Sequence, residues 1–225
     1  MGITLAVANQ KGGTGKTTTA VNLAAGLALR GRKTLLVDLD AQKNSSDHLG
    51  LARPEVSVVE VMAERCPAAE AVYDTGVANL YLMAGSKELK HFEATLLGRP
   101  ARERVLRRRL APVLDQLDVV VIDCAGDLGT ITLNALTAAD YVLVASQAEA
   151  FSFGGVEDLL HTVDILREDL NPRLTLLGVL LTMYHKTLVH HRQVERLLEG
   201  PPRLAGKLLE TKIRRNVQLS NAAAR

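Results

Sequence analysis

Residues 9–20 read "NQKGGTGKTTTA", and this stretch decides the fold. It follows a short apolar run, "ITLAVA" (3–8), and leads into a helical pattern that opens at Thr17. Strand, glycine-rich loop and helix N-terminus in that order make a phosphate cradle. Backbone N–H groups turn inward on an anion, and the helix end adds partial positive charge. Gly12, Gly13 and Gly15 supply the turning, with Thr14 between them. Lys16 would reach the β- and γ-phosphates of ATP, Thr17 would hold Mg²⁺ through its hydroxyl, and Thr18 completes the set. Two features depart from the ordinary G-x-x-x-x-G-K-[ST] loop: Gln10 stands where the first glycine belongs, and a second lysine, Lys11, precedes Lys16 by five positions. The Gly12-Gly13 pair meets the need for small residues without one at position 10.

Outward from the loop, four more runs have strand character: "KTLLVDLD" (33–40), "DVVVIDC" (118–124), "DYVLVAS" (140–146) and "LTLLGVLLTMY" (174–184). Continuous apolar runs of this length fit strands buried on both faces, hence a parallel sheet. Helical patterns lie between them. One covers 17–30 and stops at Gly31; another covers 99–116; a third covers 156–170 and ends at Asn171-Pro172. Short helices are expected around 57–64 and 86–96, and "NLYLMAG" (79–85) is one more strand. The alternation predicts a doubly wound α/β fold, a mostly parallel sheet with helices on both faces, as a single domain over 1–225.

Composition bounds the rest. Two cysteines, Cys66 and Cys124, without a C-x-x-C pair argue against zinc or a disulfide framework and for a reducing compartment. No apolar run is long enough to span a bilayer, and residues 1–8 lack a basic leader. The net charge of +2 is unevenly spread: residues 184–225 hold nine Lys/Arg against three Glu, a net of +6, so the remainder carries −4. Such asymmetry fits either a polyanion partner or a solvated basic face. His185, His190 and His191 match no common metal spacing and are expected to face solvent.

Three acids sit where ligands bind in open α/β sheets, at strand carboxyl ends. Asp38 and Asp40 alternate at the close of the second strand, and Asp123 follows four apolar residues, as does an acid that holds Mg²⁺ through water.

"KGGTGKTT" (11–18) resembles the deviant Walker A motif of the ParA/MinD ATPases, and the likeness extends over nearly the whole chain. It implies that Lys11 crosses to the nucleotide of a second subunit when two ATP-loaded protomers meet, a cation delivered in trans like an arginine finger. "DLDAQ" (38–42) is similar to the family's Asp-x-Asp-Pro-Gln, which implies that Asp40 orients the attacking water and helps the magnesium shell; Ala41 replaces the proline. After Asp123 the chain has Cys124-Ala125-Gly126-Asp127 where the family continues Cys-Pro-Pro-Ser. "LTMY" (181–184) and "IRRNVQLSNA" (213–222) resemble the family's second half, which places Met183, Arg214 and Asn216 around the adenine, with Arg214 at the family's proline position. The same likeness implies non-specific binding of double-stranded DNA by Arg215, with Lys186 and Arg192 in the other contact region. It also implies ATP/ADP with Mg²⁺ as cofactors, a ParB-like stimulating partner, no membrane contact, and a cytoplasmic, nucleoid-associated life. Two alternatives stay open: a MinD-like membrane-associated ATPase and a metabolic P-loop kinase or ligase.

Overall fold

The computed structural model describes residues 2–51, 53–149 and 152–216. Seven strands form one sheet: β1 (Ile3–Ala8), β2 (Thr34–Leu39), β3 (Val72–Asp74), β4 (Leu80–Met83), β5 (Val119–Cys124), β6 (Tyr141–Gln147) and β7 (Thr175–Thr182). Their order is β3-β4-β2-β5-β1-β6-β7, parallel throughout except for β3 against β4. All six expected strands are present. β3 escapes sequence reading because three residues, Val-Tyr-Asp, show no period.

The strands are apolar on both sides because both sides are covered. On one face Val7, Leu36 and Val121 pack against Ala20, Val21, Ala24 and Ala28 of α1 (Lys16–Leu29). Their alternating neighbours Ala6, Leu35 and Val120 face the other way, into the larger core. That core is closed by α3 (Val58–Met62), α4 (Leu89–Leu96), α5 (Val105–Leu114), α6 (Thr130–Ala138) and α7 (Ser152–Asp169). A short α2 (Asn44–His48) follows β2, and α8 (Val189–Glu199) follows β7.

The helix expected over 99–116 is broken. Ala101 takes a left-handed φ of 51°, a 3₁₀ turn spans Arg102–Arg104, and only then does α5 begin. Asn134 makes the break tolerable: its Oδ1 accepts from Leu106 N (3.1 Å) and its Nδ2 donates to the Arg102 carbonyl (2.8 Å). α3 is shorter than its pattern but well started, with Ser57 and Glu60 forming a reciprocal capping box. α6 and α8 have no counterpart in the sequence reading. α6 is rich in threonine and mostly buried, so it shows no amphipathic stripe. Beyond α8, residues 207–213 run along the outer edge of β7. Val179 N donates to the Lys207 carbonyl (2.8 Å), Leu209 N to that of Val179 (3.0 Å) and Ile213 N to that of Leu181 (2.8 Å).

Candidate nucleotide site

The loop between β1 and α1 holds its shape through glycine and through outside help. Gly13 and Gly15 adopt φ of 73° and 84°, a region L side chains rarely enter. Three strand ends then grip the loop. Asn9 Oδ1 accepts from Lys11 N (3.0 Å) while its Nδ2 donates to the Ala145 carbonyl (2.7 Å). Gln147 Nε2 donates to the Gly13 carbonyl (2.7 Å), and Thr182 Oγ1 donates to that of Thr14 (2.7 Å). Two loop carbonyls are thereby taken up from outside, as an anion cradle requires.

Lys16 is buried, 6% exposed, and its Nζ donates to the Lys11 carbonyl at 3.1 Å. A buried ammonium with a carbonyl for company is a cation short of a counter-charge. Asp123 is its complement. It is fully buried at the end of β5, where Oδ2 accepts from Ser45 Oγ (2.8 Å), the Thr17 hydroxyl also bonds the carboxylate, and Oδ1 has no hydrogen-bond partner among the described residues. β2 and β5 are paired so that Asp38 lies directly across from Asp123. Burial first, then the charge of Asp38, pushes the Asp123 carboxyl up to about 7. Burial also raises Asp38 to about 6, although bonds from Ser46 hold it back. An orphaned carboxylate oxygen, two nearby hydroxyls and a buried ammonium fit a magnesium-bound triphosphate.

Asp40 is half-buried. Its Oδ1 accepts from Gln42 N (2.9 Å), and its carbonyl accepts from Lys43 N (2.8 Å). It lines a cleft of about 280 Å³ together with Gly12, Gln42, Gly126 and Asp127, so the structure sets it facing the phosphate loop. Ala41 and Ala125, which stand at the family's proline positions, line the same cleft.

Lys11 lies at the rim rather than inside. Its Nζ pairs with Glu149 Oε2 at 2.8 Å, with the two side chains 45% and 52% exposed. An exposed pair of this kind holds a side chain lightly. Met183, at φ 51° and 38% exposed, is joined to the loop through Gln147, whose Nε2 reaches Sδ at 3.2 Å. Arg214 bridges to Tyr184 through backbone, and Tyr184 N donates to the Ile213 carbonyl (2.9 Å), so the segments carrying Met183 and Arg214 are neighbours. Arg214, Arg215 and Asn216 are exposed.

Two of the expected DNA residues, Lys186 and Arg192, lie together at this β7 corner, and Arg215 follows Arg214 in the chain. Arg192 Nη1 donates to the Lys186 carbonyl (3.2 Å), and Lys186 and Arg214 line one cleft of about 440 Å³. The corner is not purely basic: Glu195 lies in it, tied to Lys212 and accepting from Tyr184 OH at 2.6 Å. One expectation fails here. His191 does not face solvent; it is buried, its Nδ1 accepts from His185 N (2.9 Å), and burial lowers its pKa. Among the described residues no group of three or more His, Cys, Asp or Glu side chains is placed to hold a metal ion. The rest of the resembled motif, residues 217–222, lies outside the described residues.

Sequence reading passed over Asn9, Ser45, Gln147, Glu149 and Thr182. A signal for Asn9 and Gln147 existed, since each is a polar residue that closes or follows a strand run at its carboxyl end.

The parallel sheet and this loop define a P-loop ATPase. Residues 2–176 match the family described as the AAA domain. The chromosome-partitioning ATPase Soj of Treponema pallidum is 41% identical over 223 residues, covering 99% of this chain and 87% of that protein. The chromosome partitioning protein ParA of Myxococcus xanthus is 38% identical, covering 98% of this chain and 78% of that one. Among solved structures, cobyrinic acid a,c-diamide synthase from Mycobacterium smegmatis with bound ATP analog and magnesium superposes with a TM-score of 0.91 at 38% identity, covering 100% of this chain and 91% of that one. The chain belongs to the ParA/Soj family of partitioning ATPases. No helix among the described residues is long and apolar enough to cross a membrane.

Proposed function

We propose that the chain is an ATP-driven, DNA-coating positioning ATPase. ATP and Mg²⁺ bind at 12–18. Lys16 neutralises the phosphates, while Thr17 and Asp123, with help from Asp40, hold the metal. Held there, Mg²⁺ would supply charge neutralisation at the phosphates. Asp40 orients the attacking water, and Lys11 leaves Glu149 to reach the nucleotide of a second copy. Met183, Arg214 and Asn216 surround the adenine. Pairing doubles the basic corner formed by Lys186, Arg192 and Arg215, so DNA affinity rises with ATP occupancy. A ParB-like partner stimulates hydrolysis and releases the protein from nucleoid DNA in the cytoplasm, and the work done is segregation of a replicon or spacing of a cargo.

The observation that carries this reading is the division between the two lysines: Lys16 sealed inside the loop, Lys11 exposed at its edge and lightly held. One lysine suffices to bind phosphate; the exposure of the second supports a role in carrying occupancy outward. A gel shift with non-specific duplex tests it. Retardation is expected with ATP and not with ADP, and is lost in Lys16→Ala. Equal binding under both nucleotides contradicts it. The solved neighbour named as a diamide synthase supports a second reading, a small-molecule enzyme, whose turnover would be indifferent to DNA.

A further inference from the structure

Two acids close the second strand, Asp38 within β2 and Asp40 just past its end. Asp40 faces the cleft, whereas Asp38 is fully buried behind it. Three bonds converge on the Asp38 carboxylate. Oδ1 accepts from Asp40 N (3.2 Å); Oδ2 accepts from Ser46 N (2.9 Å) and from Ser46 Oγ (2.6 Å). Ser46 Oγ accepts in turn from Gly85 N (2.9 Å), which brings in the chain beyond β4. Position 85 is confined to glycine by this packing, because a Cβ there would stand 2.8 Å from Asp38 Cγ. Both ends of the segment 40–46 are thus anchored to one buried carboxylate. The residue just before Ser46, Ser45, reaches across to Asp123 (2.8 Å).

This segment carries Asp40, and it lacks the φ restraint a proline would give at Ala41. Its geometry must come from elsewhere. Asp38 supplies it at a cost, since a second buried acid opposite Asp123 adds like-charge repulsion between paired strands.

We infer that Asp38 is the positioning residue of the 40–46 segment: by gripping Asp40 N and Ser46 together it fixes the carboxylate that aims the attacking water. The inference rests on the proposed role of Asp40. An asparagine cannot replace Asp38, because it offers one acceptor oxygen where the two ends of the segment need two.

The test is steady-state MgATP hydrolysis by the full chain, wild type beside Asp38→Asn, Ser46→Ala and the double variant. Asp38→Asn is expected to lower kcat by about a hundredfold, the scale of a small misplacement at a reacting centre. KM for MgATP should stay within about threefold, since phosphate binding is untouched. Ser46→Ala should lower kcat less, and the double variant no more than Asp38→Asn, as for residues acting as a unit. A kcat for Asp38→Asn within about threefold of wild type, or single losses that multiply in the double variant, overturns the inference. Should Asp38→Asn not fold, Ser46→Ala decides alone: a loss in kcat with KM retained supports the inference, and an unchanged kcat ends it. A wild type that does not hydrolyse MgATP would instead refute the proposed function.

Discussion

Two regions of this sheet are built on opposite principles. At the carboxyl ends of β1, β2 and β5, Lys16, Asp38 and Asp123 are buried and each is fixed by named partners within the fold. At the β7 corner, Lys186, Arg192 and Arg215 are exposed, and Arg192 is steadied by a bond to a backbone carbonyl. Buried charge is costly and therefore specific in geometry; exposed charge is cheap and acts by summing. The first end suits a small ligand held in one pose. The second suits a polyanion met in many registers.

The largest effect should come from the buried end. Lys16→Ala removes the ammonium that faces the phosphates, and nucleotide affinity should fall on the order of a hundredfold or more, measured by titration with a fluorescent ATP analogue. Retained affinity would place the cradle's positive charge elsewhere.

Next is pH. Asp38 and Asp123 are raised to about 6 and about 7, above the ordinary carboxylate value, so between roughly pH 4 and 7 the folded chain binds more protons than the unfolded one. Nucleotide-free stability contributed by this pair therefore falls as pH rises through that window and is lowest above it. Asp123→Asn should flatten the profile and stabilise the apo protein at pH 8 by on the order of 2 kcal/mol, read from urea melts. Magnesium and ATP should stabilise wild type more at pH 8 than at pH 6, because the metal favours the charged acids. His191 works the other way, losing stability as pH falls through its lowered pKa, and the Asp123→Asn comparison cancels it.

At the exposed corner effects should be graded. Arg215→Glu should leave nucleotide binding intact and weaken duplex binding at every sequence. The log–log salt slope should become shallower by about 0.9 for each phosphate that is no longer neutralised. A changed ATP affinity would mean that the two ends are not separable in the way described.

This contrast also explains what the sequence could tell. Glycines 12, 13 and 15, Lys16 and Asp123 were legible because a strand, a loop and a helix leave few ways to place them. The strands were legible because burial on both faces writes a continuous apolar run. Asp38 was visible as an alternating acid, but its bonds to Asp40 and Ser46 come from the fold of the turn, which no spacing announces. Glu149 lies 138 residues from Lys11, a pairing made by the adjacency of β1 and β6. His191 was misread because the β7 edge, the turn before α8 and the ring of Tyr184 enclose it, and α8 itself was not seen. The basic corner could be read only as a charge excess, since exposed arginines obey no period.

The smallest effect links the two ends. Glu149→Gln frees Lys11 from an exposed ion pair, so ATP-dependent self-association should tighten by less than about fivefold, in line with the worth of such pairs. A large change would show that Glu149 does more than hold the lysine.

The central claim is that Lys11 couples nucleotide occupancy to pairing. Light scattering of the full chain with Mg²⁺ and a non-hydrolysable ATP analogue tests it directly. Wild type is expected to run at twice the mass it shows with ADP, and Lys11→Ala to remain at one protomer while still binding nucleotide. A wild type that stays monomeric with the analogue, or a Lys11→Ala variant that pairs as readily, would contradict the account.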